Sequence, residues 1–250
     1  MQGKPHLVLT LILVWSYFTL KITERNFFSM SDRVLVIIDD PFELSTVAAA
    51  LKLHGINVVG EAQKKSTALN LLRSLQPNIL LLDMHKSQEN SIDIAISLRK
   101  ESPTIGIVIL VPCADMRLIG KQLTELPVGT LLVLKDSLNN LATLCDVITS
   151  SPSFSADDSV TWVNGGVSLN NKESQALMSG LSDIQVETLR FAAEGFTNAE
   201  IGRARFVSEK AIEQVLSRVA ISLNIQPDHR KNMRVQLINE YMKWIGAPTH

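Results

Sequence analysis

Two adjacent carboxylates, Asp39 and Asp40, follow the apolar run Leu35–Ile38. A turn beside a buried strand would hold these like charges close together and poorly hydrated. A third carboxylate, Asp83, ends the run Ile79–Leu82, and Lys135 follows Leu131–Leu134. In parallel sheets, sites form outside the carboxyl ends of the strands, so these four residues would converge there. Carboxylates at such distances repel, and a hard divalent cation relieves them. Mg²⁺ prefers oxygen ligands and keeps several of its waters. A metal held there can bridge to a phosphoryl group, and a lysine can meet the remaining charge. An aspartate beside that metal can act as the phosphoryl acceptor.

The scaffold that must position them is visible in the hydrophobic pattern. From Arg33 onward, short apolar runs (RVLVIID, INVVGEA, NILLLD, IGIVILV, GTLLVLK) alternate with helical spacing over Phe42–His54, Ser66–Leu75, Ile92–Arg99, 115–125 and Leu138–Ile148. Gly55 and Pro77 supply helix stops. Five strands alternating with five helices predict an α/β fold, a doubly wound parallel five-stranded sheet over residues 30–150. Residues 151–180, rich in Ser, Asp and Gly, read as a linker.

Residues 181–246 then turn all-helical. Ser182 with Gln185, and Thr197 with Glu200, have capping-box spacing. Ser208 can cap a third helix reaching about Leu223, and a fourth follows over roughly Arg230–Trp244. A short helix, a tight turn and a longer helix make the helix-turn-helix layout. In the third helix Ile212, Val215, Leu216, Val219 and Leu223 form a core stripe. Its other face carries Glu209, Lys210, Glu213, Gln214, Ser217 and Arg218. On DNA, Gln214 would pair with adenine and Glu213 would accept from cytosine. Lys210, Arg218 and Ser208 would meet phosphates.

Composition narrows the function classes. Net charge is −1, so there is no global basic field. Within 182–241 eight basic residues (Arg190, Arg203, Arg205, Lys210, Arg218, Arg230, Lys231, Arg234) face eight acidic ones (Asp183, Glu187, Glu194, Glu200, Glu209, Glu213, Asp228, Glu240). Such a balance predicts weak DNA binding by a monomer and dependence on a homodimer. The two cysteines, Cys113 and Cys145, read as reduced thiols of a cytoplasmic protein, and no zinc spacing occurs. Aspartate-nucleophile phosphohydrolases need D-x-D, which D-D-P does not provide. No glycine-rich phosphate loop or G-x-S-x-G occurs either, so an enzyme is not expected.

Residues 1–29 carry the apolar run Leu7–Leu20. As a helix it would span about 21 Å, short of the roughly 30 Å hydrocarbon core. The stretch reads as an extension upstream of a start at Met30. Contact with a membrane would follow only if it is translated as an anchor.

The residues quoted above carry a resemblance. IIDD, LLLD and LLVLKDS resemble the acidic pair, acceptor strand and lysine strand of a response-regulator receiver domain, whose fold is flavodoxin-like. LSDIQVETLR, AAEGFTNAEIG and VSEKAIEQV leading into SLNI resemble the LuxR-type DNA-binding domain. The wording of SEKAIEQVLSRV is similar to a subgroup common in actinobacteria. The resemblance implies a transcriptional regulator of a two-component system. Asp83 would accept a phosphoryl group from a sensor histidine kinase. Mg²⁺ would be held by Asp40, by Asp39 through water, by Asp83 and by the His85 backbone carbonyl. Thr197, Asn198, Ser208, Lys210, Glu213, Gln214, Ser217 and Arg218 would face promoter DNA, and RNA polymerase would be a further partner. Four departures stand out. Val111 occupies the place of the usual Thr or Ser, Leu132 that of the usual aromatic residue, DMHKSQENSI lacks the Pro and Gly expected after the acceptor, and Glu213 takes a place often basic. A valine cannot donate the hydrogen bond that draws the loop inward, so a weakened switch is expected. The alternatives are a receiver that controls DNA binding without phosphorylation, and an interaction protein that does not bind DNA.

Overall fold

A computed structural model describes residues 32–84, 91–138, 140–154, 159–163, 172–226 and 228–245, the side chains of 172–175 excepted. The readings on residues 1–29 and on His85 lie outside the described residues. The order is β1 (Val34–Ile37), α1 (Pro41–Leu53), β2 (Val58–Ala62), α2 (Lys65–Leu75), β3 (Ile79–Asp83), α3 (Ser91–Glu101), β4 (Gly106–Val111), β5 (Thr130–Leu134) and α4 (Leu141–Phe154). Then follow β6 (Thr161–Trp162), α5 (Lys172–Ser179), α6 (Asp183–Ala193), α7 (Asn198–Arg205), α8 (Glu209–Ser222) and α9 (Met233–Trp244).

The sheet is parallel, in the order β2-β1-β3-β4-β5-β6. Alternate residues of each strand fill opposite faces. Leu35, Ile37, Leu80, Leu82, Ile107 and Ile109 pack on one side with Leu72 of α2 and Leu98 of α3. Val34, Val36, Ile79, Leu81, Val108 and Val133 pack on the other with Leu51 of α1 and Ile148 of α4. Covered on both sides, the central strands have no polar face, which is why they read as continuous apolar runs.

Three expectations are corrected. The sheet has six strands, not five, because Val160 and Trp162 pack against the core and 161–162 pair with β5. The linker assigned to 151–180 is therefore partly structured. It also holds the last turn of α4, where Ser150, Ser151 and Ser153 donate back to carbonyls three residues earlier and Pro152 is accommodated, and it holds α5. Residues 115–125 form two short 3₁₀ turns, Met116–Ile119 and Leu123–Glu125, not a helix. Gly120, at φ 69°, stops the first turn in a left-handed conformation that glycine adopts without strain.

The helical module surrounds its own core of Val186, Leu189, Ile201, Ile212, Leu216, Val219, Leu237 and Tyr241. Both capping boxes form as their spacing requires. Ser208 caps α8, accepting from the Ala211 amide at 3.2 Å. The turn between α7 and α8 folds tightly back: a Cβ on Gly202 would meet the Val207 carbonyl at 2.7 Å. Arg205 ties α7 to α6 through the Ile184 carbonyl and the Thr188 hydroxyl.

The two parts are joined by a clasp. Segment 113–120, just beyond β4, buries Cys113 and Leu118 in the helical module's core. The Tyr241 hydroxyl on α9 donates to the Leu118 carbonyl at 2.6 Å. Arg117 is held bidentately by Asp115 and donates to the Leu181 carbonyl at 3.0 Å and to Asp183 at 2.8 Å. Burial pushes the Cys113 thiol up to about 12, so it packs as an inert apolar group.

A Cβ on Gly106 would meet the Ser151 hydroxyl at 2.5 Å and the Pro152 nitrogen at 2.8 Å. Gly106→Ala should therefore push α4 off β4 and destabilise the protein by about 1–3 kcal/mol. The check is the urea midpoint, with an unchanged midpoint counting against this packing.

Candidate functional site

The end of β3 places Asp83 at the centre of the sheet's carboxyl edge. Its side chain is 0% exposed. A carboxylate there must be paired, because isolated burial would drive it neutral. Lys135 supplies the partner, with Nζ 2.7 Å from Asp83 Oδ1. Lys135 lies just past β5, and β4 stands between β5 and β3, a gap of about 10 Å. Only a long side chain crosses that distance. The Lys135 ammonium also donates to Glu43 Oε1 at 2.9 Å. Burial disfavours its charge, but the bonds to Asp83 and Glu43 outweigh this and raise its pKa above the ordinary 10.5. Ser91 fixes the strand end by donating to the Asp83 backbone carbonyl at 2.8 Å.

Glu43 has no counterpart in the sequence reading, although its signal was present. Asp40 and Glu43 have the D-x-x-E spacing of a helix start. Asp40 is the N-cap of α1 and accepts from the Glu43 amide at 2.7 Å, which turns Glu43 toward Lys135. Asp39 Oδ1 accepts from the Asp40 amide at 3.0 Å. The acidic pair is thus steadied by amides and by the positive end of a helix as well as by solvent.

Register brings the pair close to Asp83: Ile37 lies opposite Leu82, so Asp39 and Asp40 emerge just beyond its level. Among the described residues, no three His, Cys, Asp or Glu side chains gather as a metal cage. The donor set is nonetheless all hard oxygen at one strand edge. That fits Mg²⁺, which keeps waters and asks for only one or two carboxylates, and it does not fit a cation needing a closed protein cage.

Val111 and Leu132, expected from the sequence to stand at altered switch positions, are both 0% exposed and belong to the same apolar cluster. They are packing residues.

On α8, Lys210, Glu213, Gln214, Ser217 and Arg218 are all exposed. Spacings of three and four put the first four on one face. The Ser217 hydroxyl donates to the Glu213 carbonyl at 2.8 Å. Thr197 is occupied as the α7 cap, and Asn198 accepts from Arg234 at 2.5 Å. Arg234 also donates to the Phe196 carbonyl. Arg190, Arg205 and Arg234 serve as internal ties, and Arg230, largely exposed, pairs with Asp228 two residues away. Lys210, Arg218, Arg203 and Lys231 are exposed and carry no ion pair among the described residues.

Removing Lys135 should strand a buried carboxylate. Lys135→Met is expected to lower stability by about 2–3 kcal/mol, and Asp83→Asn in the same chain to restore most of it. Because the folded pKa of Lys135 is raised, its contribution is complete at neutral pH and fades only above 10.5. Chemical denaturation of the two variants, repeated across pH, checks both statements.

No family model matches the chain. It is 22% identical over 185 residues to the DNA-binding transcriptional activator EvgA of Escherichia coli K12, covering 74% of this chain and 88% of that protein. It is 20% identical over 195 residues to BvgA of Bordetella pertussis, a positive transcription regulator of virulence factors, covering 78% and 92%. Neither relative comes from an actinobacterium, so they lend nothing to that narrower placement. In structure, it is similar to the RcsB chain described as two dimers bound to two parallel DNAs, with TM-score 0.50, 20% identity and coverage of 85% and 98%. That likeness is one of fold. In sequence and in architecture the chain resembles the two-domain response regulators, a receiver followed by a LuxR-type helix-turn-helix domain.

Proposed function

We propose that this chain is a transcriptional response regulator that takes a phosphoryl group on Asp83 and binds promoter DNA through α8. The observation that carries the reading is the Asp83–Lys135 pair at the end of β3, with Asp39 and Asp40 at the neighbouring strand end. A bound Mg²⁺ would offset the charge of an incoming phosphoryl group. Asp39, Asp40, Asp83 and the His85 carbonyl would hold it. Asp83 supplies the nucleophilic oxygen. Lys135 is placed to leave Glu43 and meet a phosphoryl oxygen, since it already lies within reach of Asp83. A sensor histidine kinase would be the donor. The helical module would act as a homodimer on two half-sites and engage RNA polymerase, in the cytoplasm. Residues 30–150 would form the receiver, 181–246 the DNA-binding domain, and 151–180 their partly structured connection.

A second reading, a receiver that works without phosphorylation, is favoured by one observation: Val111 and Leu132 offer no hydroxyl to follow the phosphoryl group. A strain carrying Asp83→Asn that keeps normal target expression would support it.

Acetyl phosphate with Mg²⁺ should give an acid-stable, hydroxylamine-sensitive adduct that mass spectrometry maps to Asp83. No adduct would overturn the phosphoacceptor role. Alanine at Lys210 or Arg218 should weaken binding to the protein's own promoter about equally across sequences and lower the salt slope by about one unit each. Unchanged binding and slope would count against docking by this face.

A further inference from the structure

The junction between the two parts forms a half-open cavity of about 680 Å³ that neither the proposed phosphoryl chemistry nor DNA contact uses. This is the size range of small-molecule sites. Its walls come from segment 112–118, the ends of β5 and β6, and the helices α5 and α9. Met116, Leu134, Trp162, Met178 and Trp244 give it a mostly apolar lining.

The wall carries charges of both signs, and most of them are already engaged, Asp136 included. Arg117 and Asp115 satisfy each other. Lys243 is paired with Glu240 at 2.6 Å. The Ser179 hydroxyl donates to the Ala176 carbonyl. The Lys121 ammonium, by contrast, has no ion pair among the described residues and lines the cavity. Its ammonium is a donor only, so a complementary occupant would bring an anionic acceptor on an apolar body.

We propose that the inter-domain cavity binds a small organic carboxylate, its apolar body among Met116, Trp162, Met178 and Trp244 and its carboxylate toward Lys121. Aliphatic and aromatic acids share this chemistry. Because the walls come from both parts, an occupant would tie the receiver's 112–118 segment to α5 and α9. The site is distinct from Asp83, and its occupancy does not depend on phosphorylation.

The test uses the full-length chain and 1-anilinonaphthalene-8-sulfonate as reporter. The expected result is saturable binding of one probe per chain, displaced by decanoate or phenylacetate but not by decylamine. Which acid displaces it at lower concentration identifies the aliphatic or aromatic source. Lys121→Glu should weaken binding by roughly tenfold or more, the size of one charge-assisted hydrogen bond. Ala114→Phe, which places a ring at the cavity wall, should abolish it. Leu53→Asp, on the exposed face of α1, should leave it unchanged. Non-saturable binding, equal displacement by decylamine, loss in Leu53→Asp, or full affinity in Lys121→Glu would each overturn the proposal. Lys121 is only half-buried, so its variant remains decisive even if Ala114→Phe fails to fold.

Discussion

The structure turns on one buried carboxylate. Asp83 ends a central strand whose other residues are wholly apolar, and its side chain has no exposure at all. Ionised, it requires a cation within reach, and the sheet order leaves that cation two strands away. Lys135 can serve because it starts just beyond β5 and passes over the end of β4. Glu43 then shares the ammonium, and Glu43 is where it is because Asp40 caps α1. One charge at one strand end thus sets the roles of a helix cap, a second carboxylate and a lysine.

The same edge leads directly to the helical module. Val111 ends β4, and two residues later Cys113 is already inside the other core. Leu118, Arg117 and Tyr241 complete the clasp within the next few residues. A shift at the end of β4 would therefore be felt at α6 and α9 without any intermediate element. What β4 lacks is a polar handle on a phosphoryl group. Val111 packs with Leu132 in the apolar cluster, so any pull must come through Lys135 and the backbone. Under the proposed function, short path and weak handle together would give a modest rather than an all-or-none response to phosphorylation.

Much of this was legible in the sequence, for physical reasons. The apolar runs of a doubly covered parallel sheet and the two capping boxes are local signals, and they hold to within a few residues. The strand-end placement of Asp39, Asp40, Asp83 and Lys135 followed from topology. What escaped depended on tertiary contact. VTWV carried β-forming residues, but two residues make a strand only when β5 offers an edge. The Ser-rich end of α4 looked like linker because hydroxyls that satisfy backbone carbonyls cannot be distinguished by composition from those that face solvent. Segment 115–125 lost its helix to Gly120 and to the docking of Leu118.

The central claim is that chemistry at Asp83 is transmitted to DNA binding by α8. It is tested most directly by the affinity for the protein's own promoter, with and without acetyl phosphate and Mg²⁺, in the natural chain and in Asp83→Asn. The expected result is a gain of about fivefold, toward the low end of ordinary coupling, that disappears in Asp83→Asn. An affinity indifferent to the phosphoryl donor, or an equal gain in Asp83→Asn, would contradict the account.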